Sequence, residues 1–471
     1  MRKTLRVAAV GAVLAAMPAH AQTVHRYLVK VDRSLEKIAV AACFDGAAPL
    51  KLAAHEAAAL YLEDMRVRNA PSARVTVQRS EALLSGVPDN ACVDYSVQLK
   101  PARDGAQSGG PETRRVGRDV LTAIGDWLWR PVQPAQDADI ELRFELPAGV
   151  AVSAPWTPAQ ALGNSYRLGN TPPEWPGVVA FGGFQPLPIE VPGATINLAI
   201  LDAPPPARRD FLARWIERTA RGVASAYGRF PVPALQVVVA PTPRGNSPVP
   251  WAYVARGGGP AVHLFINASR NEREFAADWS ATHEMSHLFL PYVSGRDAWL
   301  FEGLPTYLQN VLLSRSRAIA PEDAWQRMAE GFERGSRVGA NFSVIQASER
   351  IGRGGLYLRA YWGGAAYMLA ADLQLREQSA GSVSLDTALA GLACCRTDAN
   401  RRWSAAELIE QLDSATGTRV FSELAGELLN REEFPDYARL FRRLGIEVSE
   451  GRVAFFDAPG ARFRDAIMAP R

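Results

Sequence analysis

The stretch "SATHEMSHLFLP", residues 280–291, places His283 and His287 four positions apart in a chain that holds six histidines in all. Residues four apart stack on one face of a helix, so both imidazoles can address the same cation. Glu284 stands beside the first of them, able to reach a water activated by the metal without itself being a ligand. A helix is expected here, because "EREFAADWSATHEMSHLFL" contains no Gly or Pro before Pro291. An ordinary packed helix carrying a polar patch is the competing reading, and the neighbouring chain has to decide.

A catalytic zinc takes three protein ligands and keeps a fourth position open. After a gap of fourteen residues from His287, "DAWLFEGLPTYLQNVLL" (297–313) supplies Glu302 as the third. Wedged between Trp299, Leu300, Phe301 and Leu304, this carboxylate needs a partner; the alternative is a helix-terminal acid favoured by the dipole. Pro305 is tolerated because it falls in the first turn of the helix that follows. Thr306 is a candidate to steady a ligand, against the default of an exposed helical threonine.

HEMSH followed by WLFEGLPTY resembles the gluzincin pattern of aminopeptidase N-type enzymes and of the glycyl aminopeptidase family. The stretch "LRAYWGGAAYMLAADLQLREQSAGSVSLDTAL" (358–389) is similar to the glycyl aminopeptidase family in particular, and the likeness runs from about residue 206 to 448. The resemblance implies a thermolysin-like α/β zinc catalytic domain with one Zn2+ per chain, ligated by His283, His287 and Glu302. Glu284 would be the general base, and Tyr361, three residues before Gly364, the hydroxyl that donates to the oxyanion. Without the family, Tyr357, Tyr361 and Tyr367 are not separable. The chain departs from the pattern in two ways. Gly363 stands where a lysine is usual, and the Gly-x-Met-Glu-Asn signature that grips a free α-amine is missing. Its nearest counterpart, "RGGGPAVHLFI", suggests that Gly258 and Gly259 bind peptide through their backbone; a plain hairpin loop is the alternative. His263, on the strand that follows, is expected to be structural.

The rest of the chain sets the frame. With 471 residues, 48% of them hydrophobic, it can build a large core in two or three domains. The start "MRKTLRVAAVGAVLAAMPAHAQ" has a basic n-region, an apolar run shorter than a bilayer span, and Ala19-His20-Ala21 as a cleavage site. Residues 1–21 are therefore expected to be a signal peptide, with the mature chain periplasmic or secreted. Losing Arg2, Lys3 and Arg6 leaves 49 basic against 49 acidic residues. That neutrality argues for a peptide or protein substrate, and against nucleic acid. No second segment is apolar enough to span a membrane. Cys43 and Cys92 lie near strand ends in one domain and are expected to pair; adjacent Cys394 and Cys395 are left open between a vicinal disulfide and two thiols.

The alternation of "DIELRFEL" (139–146) and "VDYSVQL" (93–99) marks strands buried on one face. The whole is expected to be an α+β multidomain protein, with a β-sandwich-like N-terminal domain over 22–203, interrupted by a short helix around 51–64. The catalytic domain follows over 204–380 after the proline-rich linker 202–210, then a helical region over 381–450 and a tail over 451–471. The activity expected is peptide-bond hydrolysis, aminopeptidase or endopeptidase. The alternative is a catalytically weak or inactive peptidase scaffold that binds peptides or envelope partners.

Overall fold

The computed structural model describes residues 23–56, 58–99, 113–132, 139–159, 163–169, 171–172, 174–243, 245–392 and 401–470. The leader, and Cys394 and Cys395, lie outside them.

Alternation in the N-terminal half becomes a core. In the strand Asp139–Glu145, Ile140, Leu142 and Phe144 are buried while Arg143 and Glu145 face solvent. That strand pairs in parallel with Val24–Val31, inside a seven-stranded sheet that also holds Lys37–Cys43 and Cys92–Gln98. Cys43 and Cys92 sit directly opposite one another across the last two strands and form a disulfide. Two four-stranded sheets pack over the same core, which includes Trp127, Trp129, Trp156, Phe144 and Phe181. The helix expected around 51–64 is not formed. Lys51–Ala53 and Leu62–Val67 are strands, joined by a single 3-10 turn at Ala58–Leu60. A run this short is marginal as a helix, and cross-strand pairing at both ends outweighs its alanine-rich propensity.

The next sheet begins before residue 204. Leu187–Val191 and Ala194–Ile200 belong to a five-stranded sheet with Ala234–Pro241, Ala261–Ile266 and Trp251–Ala255, the last forming one edge. Ala194–Ile200 runs parallel to Ala234–Pro241, and parallel neighbours need a crossover. The helix Pro206–Ala224 supplies it, with Pro206 at its first position, so the prolines read as a linker are a helix start.

From residue 272 onward the chain is mostly helical, ending in the hairpin Ile446–Ser449/Arg452–Phe455 and the helix Ala461–Met468. Gly303–Arg315 and Tyr357–Gln378 run through the core of this half. Their buried charges are paired: Arg315 makes two 2.9 Å contacts to Asp386, and Asp372 accepts from Arg376 and from the Tyr307 hydroxyl. The segment beyond 450 is not a loose tail, for Ile467 and Met468 are buried and the Ile467 carbonyl accepts from Arg315 Nε at 2.8 Å. Among the described residues no helix is long and apolar enough to cross a membrane.

Candidate active site

The motif helix is shorter than its sequence suggests. Glu272–Ala276 forms one helix, closed at its start by a capping box between Asn271 and Glu274. Ser280–Ser286 forms a second, and a 3-10 turn over His287–Phe289 continues it. Between them Asp278 accepts from the Ser280 amide at 2.8 Å, a local bond that competes with helix continuation. The break costs the motif nothing. His283 and His287 still share a face, their rings 5.0 Å apart and nearly perpendicular.

Glu302 arrives at the junction of two helices, Ala298–Phe301 and Gly303–Arg315. Two glycines set its position. A Cβ on Gly303 would lie 2.6 Å from the Gly364 Cα, and one on Gly364 would lie 1.9 Å from the Trp299 carbonyl oxygen. The helix carrying Tyr361 is thereby pressed backbone to backbone against the segment carrying Glu302. Gly363, where a lysine was expected, packs against Val344, 2.6 Å from the place its Cβ would occupy.

The result is a tight cluster. Glu302 Oε2 stands 3.2 Å from His283 Nε2 and 3.5 Å from His287 Nε2, and one donor atom from each residue lies within 4.8 Å of the others. Glu284 Oε2 is 3.9 Å from His287 Nε2. The donor set fits zinc: two buried imidazoles and one partly buried carboxylate, with Glu284 beside them. The far side of His283 is fixed as well, because its Nδ1 lies 2.8 Å from Gln309 Oε1. A proton on Nδ1, donated to that amide oxygen, is the tautomer that turns the Nε2 lone pair toward a cation. The sequence reading missed Gln309, although it falls seven residues, two helical turns, after Glu302. Thr306 is buried and lines the same cavity, yet its side chain makes no bond to a ligand among the described contacts.

Electrostatics follow from burial. Desolvation lifts the Glu284 carboxyl to about 7, with Glu302 adding to the rise and His283 opposing it. Desolvation likewise pushes His287 down to about 3, keeping its ring neutral as a ligand must be. Burial opposes the charged form of Glu302, but the two histidines and a hydrogen bond from the Tyr361 hydroxyl outweigh it and hold its carboxyl low.

Of the three tyrosines, Tyr361 alone reaches the cluster. Its ring lies nearly parallel to His283, centroids 6.5 Å apart, and its hydroxyl bonds Glu302. Tyr367 is buried and donates to the Phe421 carbonyl, while Tyr357 is half exposed at the cleft mouth. The cleft in front of His283 has a volume of about 650 Å³ and is lined by Trp279, Tyr357, Tyr361 and Arg334 among others.

Gly258 and Gly259 lie elsewhere. The Gly258 amide donates to Thr171 Oγ1, and Cβ atoms on the two would meet Trp156 Nε1 at 2.1 Å and the Pro155 carbonyl at 2.0 Å. They pack against the N-terminal half, and the Gly258 N–H is taken up by Thr171 rather than left for a peptide. The backbone that does reach the site is the edge strand Trp251–Ala255, whose Val254 amide bonds the Glu284 carboxylate. His263 is fully buried, faces Tyr253 at 4.8 Å, and makes no hydrogen bond through either ring nitrogen.

In its α+β fold the chain is similar to solved zinc metallopeptidases of the aminopeptidase N type. An aminopeptidase N family protein from Idiomarina loihiensis is similar over 90% of this chain and 79% of its own, with a TM-score of 0.70 and 15% identity. The M1 zinc metallopeptidase of Deinococcus radiodurans is similar over 88% of this chain and 95% of its own, with a TM-score of 0.55 and 15% identity. A mutant of that enzyme solved with a Tyr-Ser-Ala substrate gives a TM-score of 0.55 over 88% of this chain and 96% of its own, again at 15% identity. No protein-family model matches the sequence, and no curated protein does.

Proposed function

We propose that the protein is a zinc-dependent peptidase, its catalytic half thermolysin-like and its motifs resembling those of the glycyl aminopeptidases. The convergence of His283, His287 and Glu302 on one point, with Glu284 beside them, carries the reading. Zinc, when bound, supplies Lewis acidity that polarises a substrate carbonyl and acidifies water. The remaining work belongs to the chain. Trp251–Ala255 is an edge strand of its sheet, so an extended peptide can add to it beside the motif helix. The Glu284 carboxylate takes the proton of the attacking water and returns it to the leaving amine. A carboxyl poised near 7 serves both steps close to neutral pH. The Tyr361 hydroxyl, on the wall facing His283, donates to the oxygen on which charge develops. The Cys43–Cys92 disulfide supports an oxidising compartment, periplasmic or extracellular.

A panel of free and N-blocked quenched peptides, with and without chelator, tests the activity and separates aminopeptidase from endopeptidase. Glu284→Gln should abolish cleavage while zinc content stays near one per chain. Purified protein without stoichiometric zinc, or cleavage indifferent to chelator, would overturn the reading.

A further inference from the structure

Behind the motif helix, between the N-terminal sheets and the catalytic half, lies a second cavity of about 660 Å³. None of the four residues clustered at the zinc site, nor Tyr361, lines it. Trp156, Tyr227, Phe230, Leu288, Tyr292 and Leu389 give it an apolar and aromatic wall. Its volume falls in the range of small-molecule sites.

The polar groups in that wall are incomplete. Arg256 donates through Nη2 to the carbonyls of His287 and Leu290, at 2.8 and 2.9 Å, which holds the guanidinium in place. Its Nε is buried with no hydrogen-bond partner, and no carboxylate among the described residues pairs with it. Trp156 Nε1 is a second buried donor without a partner. Gln236 gives its Nε2 to Ser153 Oγ, leaving Oε1 as a buried acceptor with nothing to accept. Buried polar atoms are ordinarily satisfied. Water could serve these atoms one by one, but it would leave a desolvated cation without a counter-charge, which is costly.

We infer that this interdomain cavity binds a small organic carboxylate with an apolar body and one N–H or O–H group. The carboxylate pairs with Arg256, the apolar body lies against the aromatic wall, and the donor meets Gln236 Oε1. A carboxylate supplies the missing counter-charge in a planar geometry suited to a guanidinium. The ligand sits apart from the scissile bond and is not a subsite of the peptidase centre.

The test is calorimetric titration of chelator-treated protein with N-acetyl-L-phenylalanine, against N-acetyl-L-phenylalaninamide, in which a neutral amide of nearly the same shape replaces the carboxylate. Saturable binding of the acid at millimolar concentrations is expected, with the amide at least about tenfold weaker, as loss of a charged hydrogen bond requires. Arg256→Gln should weaken the acid by a similar factor. Leu389→Trp fills the cavity and leaves Arg256 untouched, so it guards against an Arg256 variant that merely misfolds; it should abolish binding. Equal binding of acid and amide, absence of saturable binding, or an acid that binds Leu389→Trp as well as wild type would each overturn the inference.

Discussion

Replacing Gln309 with leucine probes whether the cluster is built to hold a cation or merely packs. Gln309 is buried, and its Oε1 lies 2.8 Å from His283 Nδ1. Leucine keeps the volume and removes the acceptor, leaving a buried imidazole N–H unpaired at a cost of about 1–3 kcal/mol. Part of that cost falls on the metal-binding form, in which Nδ1 must carry the proton so that Nε2 can coordinate. Loss of such an orienting partner typically weakens a metal about 10- to 100-fold, roughly 1.4–2.7 kcal/mol, and the two estimates agree. Zinc affinity measured by competition with a chromophoric chelator should therefore fall by that factor in Gln309→Leu, while Gln309→Glu, which keeps an acceptor, should stay close to wild type. If Gln309→Leu folds normally and binds zinc within about twofold of wild type, Nδ1 does not set the tautomer and the argument fails.

Other outcomes follow from the same geometry. Tyr361→Phe should lower kcat by about 10²- to 10³-fold with little change in KM, since its hydroxyl acts on charge that exists only in the transition state; a change confined to KM would contradict that role. Gly364→Ala places a methyl 1.9 Å from the Trp299 carbonyl oxygen, so the two helices must separate. A loss of zinc binding larger than the loss of secondary structure, followed by circular dichroism, is expected. Asp386→Ala leaves Arg315 buried without its carboxylate and should cost about 3–5 kcal/mol in denaturant unfolding. Burial sets His263 at about 3, below its ordinary 6.5, so the unfolded chain binds a proton that the folded chain refuses. Its contribution to stability is whole above pH 6.5 and drains away between 6.5 and 3, at about 1.4 kcal/mol per pH unit. Between pH 7 and 4.5 wild type should lose about 2–3 kcal/mol more than His263→Phe; equal losses would show that His263 titrates normally.

What the sequence disclosed tracks how local each signal is. His283, Glu284 and His287 belong to one helical turn, so spacing alone placed them on one face, and the break at Asp278 did not disturb it. Glu302 was legible because a carboxylate among large apolar residues needs a reason. Tyr361 could not be told from Tyr357 and Tyr367 by spacing, since all three lie on one helix. What separates them is contact with Glu302, and that contact depends on Gly303 meeting Gly364. For Gly258 and Gly259 spacing near an edge strand could not show that their packing neighbours come from residues 155–171. The strand Ala194–Ile200 looked like the end of the β-rich half, because its partner Ala234–Pro241 lies beyond an intervening helix. Alternation finds a strand but does not say which sheet it joins.

The docking of Ala461–Met468 on Arg315 has a consequence in time. The helix that opens next to Glu302 is anchored at its other end by a carbonyl 152 residues further along the chain. Contacts of such separation form late, because loop closure must precede them. During synthesis the motif helix and Glu302 exist well before their anchor does, so a growing chain carries the ligands without the frame that fixes them. A truncated product lacking residues 461–468 should therefore accumulate as a less stable, protease-sensitive form.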